Sequence, residues 1–292
     1  MSGLVADTAV RLPAPALRPF ISQYAGFWVA GLPPGVHFGL PSSGVNLIIS
    51  LDHPIEVVKM PNLKQRPPSP LTAWVSGLQS GPAIVRHTGN AFGLRVFIKP
   101  LGVRAILGVA SAEVASLVLN LSDIWGSRCL DLVESLYGAD TWHQRFAILD
   151  RAFASKLNPT RPQPEISWAW ERLAKSHGSV PVQQLTDEIG YSRRHFTERF
   201  RNAIGVTPKS AARVFRFERA CRLIADHRLS LAQVAIACGY FDQAHMTHEW
   251  YALAGYSPKA WITRELPFLQ DYELGGSDNE FHEYESVHPT FL

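Results

Sequence analysis

Between 191 and 201 the chain reads YSRRHFTERFR, four arginines and a histidine set among three aromatic residues. Guanidinium groups at this density do not turn over a substrate. They bind anions, and they donate in a fixed fork to paired acceptors such as guanine O6 and N7. Phe196, Phe200 and Ile204 recur every four residues, the spacing of one buried helix face. The opposite face then presents Arg193, Arg194, Thr197, Glu198 and Arg201. Alone, such a face is most simply a solvated one, because charged residues crowd helix exteriors. A copy of the stretch argues otherwise. Shifting the chain by 50 residues superimposes YSRRHFT on FDQAHMT (241 to 247), then Phe200 on Trp250, Gly205 on Gly255 and Pro208 on Pro258.

The surrounding elements explain how two such faces would be positioned. A short amphipathic segment ending in Gly precedes each: VQQLTDEIG (182 to 190) and LAQVAIACG (231 to 239). A helix, a glycine turn and an N-capped second helix make a helix-turn-helix unit, present twice. Pro181 suits a first helical position, Ser230 with Gln233 forms a capping box, and Thr207-Pro208 and Ser257-Pro258 each place an N-cap before Pro. Between the copies, TPKSAARVFRFERACRLIADH reads as one continuous helix of about 18 residues, spanning about 27 Å. Two recognition helices held that way stand near the ~34 Å repeat of duplex DNA, so one chain could meet two successive major-groove segments. About seven helices are expected between Glu165 and Glu265.

These residues resemble the AraC/XylS family of transcriptional regulators. The likeness is carried by RFRxxxGxTPxxAARxxRxERACRLI and by IACGYFDQAHMTHEWYALAGYSPKAW, over roughly residues 165–265. It implies a seven-helix domain with DNA-contacting positions at Arg193, Arg194, Thr197 and Glu198 in the first unit. In the second they fall on Gln243, Ala244, His245, Thr247 and His248. Arg201, farther along its helix, suits a phosphate contact. GLPSSGVNLIISL, FGLRVFIKPLGVRAILGV and LNLSDIWG are similar, more loosely, to the sensor domain of a subgroup. Two positions depart from the pattern. Thr186 stands where Ala is usual at the helix crossing, and Ala211 where an aromatic residue is usual. The second recognition helix has no Lys or Arg and carries Glu249, so it is expected to bind weakly by charge, leaving the first unit to dominate affinity.

Residues 20–100 read instead as short strands: YAGFWVAG, VNLIISL, PIEVVKM, AWVSGLQ, AIVRH and FGLRVFI, with KQRPPSP (64 to 70) as a loop. From Pro100 the texture becomes helical through LGVRAILGV, SAEVASLVL, DIWGSRCLDLVESLYG and DTWHQRFAILDRAFASKL, the last with Trp142, Phe146, Leu149 and Phe153 on one face. The expected fold class is α+β: a β-rich small barrel or sheet with appended helices over 1–158, serving as sensor and dimerisation domain, then an all-α seven-helix domain over 165–266. NPTRPQPE supplies a stiff Pro-rich linker (159–164). Residues 267–292 form an acidic tail, six Asp/Glu and no Lys/Arg, expected to be disordered.

Other chemistry is thinly represented. G-x-S-x-G, Walker A and G-x-G-x-x-G are absent from the sequence, and His37, His53 and His87 have no metal-binding spacing. No catalytic residue, metal ligand or cofactor is assigned. Cys129, Cys221 and Cys238 read as small core residues. Tyr24, Phe27, Trp28, Phe38 and Trp74 could line an effector pocket, but aromatic residues at such positions are more often core, and no effector-binding residue is named. The expected function is a sequence-specific DNA-binding transcriptional regulator, not an enzyme, controlled by a small-molecule effector. Its expected partners are double-stranded DNA, a second copy of the chain through residues 123–157, and RNA polymerase. The alternatives are a cupin-type metal enzyme with a DNA-binding appendage, or a ligand-independent regulator whose N-terminal part only dimerises or contacts polymerase. Lacking an apolar run of about 18 residues or a leader pattern, the chain is expected in the cytoplasm, away from membranes.

Overall fold

The computed structural model describes residues 5–62, 64–68, 70–158, 163–226 and 228–264. The acidic tail and most of the Pro-rich linker lie outside the described residues. Among the described residues of the N-terminal part nine strands form: β1 (Val5–Arg11), β2 (Ile21–Ala30), β3 (Gly35–Gly39), β4 (Val45–Ser50), β5 (Glu56–Lys59), β6 (Ala73–Ser76), β7 (Ala83–His87), β8 (Ala91–Ile98) and β9 (Val118–Asn120). Six make one antiparallel sheet in the order β1-β2-β8-β4-β6-β9, and three make a second, β3-β7-β5. The large sheet runs from β1 to β9 without closing, so the architecture is two open sheets and not a barrel.

Side-chain alternation sorts the two faces of the large sheet. Val45, Leu47 and Ile49 of β4, Ala73 and Val75 of β6, and Leu94, Val96 and Ile98 of β8 enter the main core with the helices. Trp74, between Ala73 and Val75, faces the other way and joins Val57 and Ala83 of the small sheet. The helices over the main face are α1 (Val103–Leu107), α2 (Ser111–Val114), α3 (Leu121–Trp125), α4 (Arg128–Tyr137) and α5 (Trp142–Lys156). The α5 face expected from the sequence is buried, with Trp142, Phe146, Leu149 and Phe153 all in the core. Asp150 of α5 ties it to the sheet. Its carboxylate pairs with Arg11, accepts the Tyr24 hydroxyl at 3.0 Å and accepts the Ala14 amide at 2.8 Å.

One expected helix is mostly something else. Only Ser111–Val114 of SAEVASLVL is helical; the chain turns at Ser116, whose φ is 58°, and Val118–Asn120 becomes strand β9. The edge of β6 supplies the reason. Its unpaired backbone groups are satisfied by β9, and Val118 joins Trp74 in the smaller core.

Seven helices follow: α6 (Pro164–Lys175), α7 (Val182–Ile189), α8 (Arg193–Ile204), α9 (Pro208–Ala225), α10 (Leu231–Ala237), α11 (Gln243–Ala254) and α12 (Pro258–Arg264). The long connector is the single 18-residue helix α9, capped by Thr207 with Pro208 in its first turn. Pro181, expected inside a helix start, sits one position earlier as the N-cap of α7. All three cysteines are free and buried.

The two parts of the chain pack on each other. Helix α2 lies against α8, and at Gly205 an added Cβ would fall 2.8 Å from the Ser111 carbonyl oxygen. On the far side, Phe38 of β3 meets Tyr256 edge-on at 4.8 Å. Between them the Ser43 amide donates to Glu218 Oε1 of α9 at 2.7 Å. Glu218 is buried, and loss of water raises its carboxyl above the usual range, against the opposing pull of the Ser43 hydrogen bonds and Arg222. With the folded value raised, the charged form costs stability as pH climbs from the unfolded towards the folded value, and the cost is complete above the folded value. Glu218→Gln removes the charge but keeps an oxygen for the Ser43 amide. In thermal unfolding from pH 8 down to pH 5, the wild type is expected to gain stability relative to Glu218→Gln; a pH-independent difference would contradict the assignment.

Candidate nucleic-acid interface

The two repeats fold alike because the same local signals act in both. Helices α7 and α10 end at glycines with left-handed backbone, Gly190 (φ 78°) and Gly239 (φ 76°), which turn the chain sharply into the next helix. Ser192 and Asp242 then cap α8 and α11, each side chain accepting the amide three residues on, from His195 at 3.3 Å and His245 at 2.7 Å. Burial repeats position by position. From 193 to 200 and from 243 to 250 the order is three exposed residues, one buried, one intermediate, one exposed, one intermediate and one buried. Phe196 and Phe200 fill the buried places in the first copy, Met246 and Trp250 in the second. Arg193, Arg194, Glu198 and Arg201 are exposed on α8 with Thr197 partly so; Gln243, Ala244, His245 and His248 are exposed on α11, again with Thr247 partly so. Sequence reasoning therefore gathered each set on one outward helix face, free at its N-terminal end.

Charge is distributed differently in the two copies. Residue by residue, Arg193, Arg194, Arg199 and Arg201 of α8 are matched by Gln243, Ala244, Glu249 and Tyr251 of α11. Glu249 does not oppose a polyanion as expected, because it turns inward. Its carboxylate accepts from Arg213 Nε at 3.0 Å and from an Arg216 Nη at 3.3 Å, both on α9. Arg199 is also spoken for, donating to the Tyr191 hydroxyl at 3.1 Å with its guanidinium over the ring. His245 is exposed but held in place: its Nδ1 accepts the Phe241 amide at 3.2 Å, its ring meets Tyr240 edge-on, and its Nε2 lies 3.9 Å from Glu249. The roles of Arg213 and Arg216 were missed from sequence, although the pairing of Arg199 with Glu249 in the repeat signalled that this position had changed partner.

Two helix-turn-helix units on one connecting helix match a known domain. A family described as "Helix-turn-helix domain" matches residues 185–264. The chain carries a helix-turn-helix domain over residues 185–264. The MmsAB operon regulatory protein of Pseudomonas aeruginosa is 28% identical over 88 residues, 30% of this chain, and the match spans 29% of that protein's length. Among solved structures, apo ToxT from Vibrio cholerae is 12% identical, with 90% of this chain and 98% of that one covered and a TM-score of 0.48. An unsaturated fatty acid-bound form of ToxT gives 11%, 90%, 95% and 0.47.

Both departures from the expected pattern are accommodated inside this helix-turn-helix domain. Thr186 is buried at the α7–α8 crossing, and its hydroxyl donates to the Gln183 carbonyl at 2.7 Å, so the extra polar group is satisfied. Ala211 is buried on α9. In the N-terminal part, three of the five aromatic residues considered for an effector pocket lie in separate clusters. Tyr24 packs under α5, Trp74 lies on the opposite face of the sheet, and Phe38 meets Tyr256. His53 pairs with Asp52 at 2.9 Å and Thr88 at 2.9 Å, and among the described residues no group of three His, Cys, Asp or Glu is placed to hold a metal ion. No helix among them is long and apolar enough to cross a membrane. The inward turn of Glu249 has a measurable consequence. Glu249→Ala leaves two partly buried guanidiniums without their acceptor and is expected to lower unfolding free energy by about 1 to 3 kcal/mol in chemical denaturation; an unchanged midpoint would show that the cluster holds nothing.

Proposed function

We propose that the chain is a sequence-specific DNA-binding transcriptional regulator that meets two successive major-groove segments, one with α8 and one with α11. The reading is carried by the burial pattern repeated at a 50-residue offset, which leaves two capped helix N-termini outward on one rigid connector. Recognition helices reach base edges with those first residues. Arg193 and Arg194 are assigned to base contacts with Thr197 and Glu198 beside them, Arg201 to phosphate, and Gln243, Ala244, Thr247 and His248 to the second segment. His245 serves mainly to hold the turn. The partial match to the MmsAB operon regulatory protein favours regulation over catalysis, in a cytoplasmic setting.

Control is assigned to the N-terminal part. A cleft of about 330 Å³ between α3, α4 and α5 places Arg128, Arg151 and Lys156, with the single acid Asp131, around Trp125, Leu132 and Ile148, a net basic setting suited to a small anionic effector. A homodimer is assigned to α4, where Leu130 and Tyr137 are exposed on one stripe. RNA polymerase is the further partner such a regulator would need.

Genomic fragments selected by the full-length protein test the reading. Arg194→Ala is expected to cost about 1 to 3 kcal/mol on a selected fragment and to relax base preference there. Equal losses on selected and random DNA would remove the base-reading role.

A further inference from the structure

On α11 and the turn before it, the apolar surface is unusual for a helix that meets DNA. Phe241 is 89% exposed, and Tyr251, in the place of Arg201, is 62% exposed. The matching aromatic residue of the first unit, Tyr191, is folded down beneath the Arg199 guanidinium and against His195 at 4.8 Å. In the second unit the packing role has moved one residue back. Tyr240 is buried there, against His245 and beneath Arg216, so Phe241 is released from the core. Its backbone is nevertheless fixed, because its amide donates to His245 Nδ1 and Asp242 beside it caps α11. Phe241 is thus an exposed ring on a rigid turn at the base-reading end of the helix.

Its neighbours lack the groups that read guanine. Gln243, Ala244, Thr247, His248 and Tyr251 line a shallow depression of about 630 Å³ without Lys or Arg. Guanine offers two acceptors and is met best by a cationic fork; an A·T pair offers the thymine methyl, which suits Phe or Ala, and adenine N6 and N7, which suit Gln. We propose that the second unit reads A·T pairs, with Phe241 and Ala244 against thymine methyl groups and Gln243 on an adjacent adenine. The proposal rests on the two-segment reading above. Phe241 then supplies by methyl contact part of the selectivity that arginines supply in the first unit. Tyr251 stands where a phosphate contact through Arg201 has no charged counterpart.

Deoxyuridine in place of thymine removes the methyl group and nothing else. Single replacements are made along a duplex selected by the full-length protein, and affinity is measured for the wild type, Phe241→Ala and Arg194→Ala. The guanine preference relaxed in Arg194→Ala marks the first half-site. In the other half-site, one or two replacements are expected to weaken the wild type about fourfold each, the value of one buried methyl-sized group. Phe241→Ala, a change at an exposed side chain, is expected to lose sensitivity at one of those positions and to keep the response of the first half-site. Methyl-insensitive thymines throughout the second half-site would overturn the proposal. So would a Phe241→Ala protein with undiminished sensitivity there, which would assign the exposed ring to a protein partner. Failure to select any preferred duplex would instead overturn the two-segment reading on which the proposal stands.

Discussion

Everything outward on this helix-turn-helix domain depends on the burial of α9. Ten of its eighteen residues are buried, including Phe215, Phe217, Ala220, Cys221 and Ile224, and both helix-turn-helix units pack on it. A helix of this length keeps its rise of 1.5 Å per residue, so the separation of α8 and α11 is set largely by the geometry and packing of α9. The same helix carries Glu218 to the N-terminal part and Arg213 and Arg216 to α11. One element therefore couples three surfaces.

That coupling explains the uneven charge of the two units. In the first, Arg193, Arg194 and Arg201 are exposed and available to a polyanion, with Arg199 used to hold Tyr191. In the second, the sole acidic residue of the recognition helix is turned onto α9 and neutralised by two arginines. The second face consequently carries no Lys or Arg, and the one acid of its helix is turned away from it. On the proposed reading its contribution to affinity is by hydrogen bonds and apolar contact, which depend less on salt than phosphate pairing does.

Much of this was legible in the sequence because local signals and the global fold agree. The 50-residue repeat, the caps at Thr207 and Ser230, and the four-residue spacing of Phe196, Phe200 and Ile204 each correspond to a feature of the folded domain. What escaped was decided by tertiary partners. SAEVASLVL has helical composition, yet its last two residues enter β9 at the open edge of β6. Glu249 reads as a surface charge until α9 places two guanidiniums beside it. The strands of the N-terminal part were recognisable from their β-branched runs, but no local pattern reports whether a sheet closes. Nor could composition tell whether Tyr24, Phe38 and Trp74 share a pocket or, as they do, separate cores.

Interference footprinting on a duplex selected by the full-length protein tests the central claim most directly, that one chain meets two major-groove segments by unequal chemistry. Methylation of guanine N7 blocks the acceptor that a guanidinium fork requires. The account predicts two protected segments about one helical turn apart, with guanine methylation abolishing binding in one and leaving the other unaffected. A single protected segment shorter than a turn, or equal guanine interference in both, would contradict it.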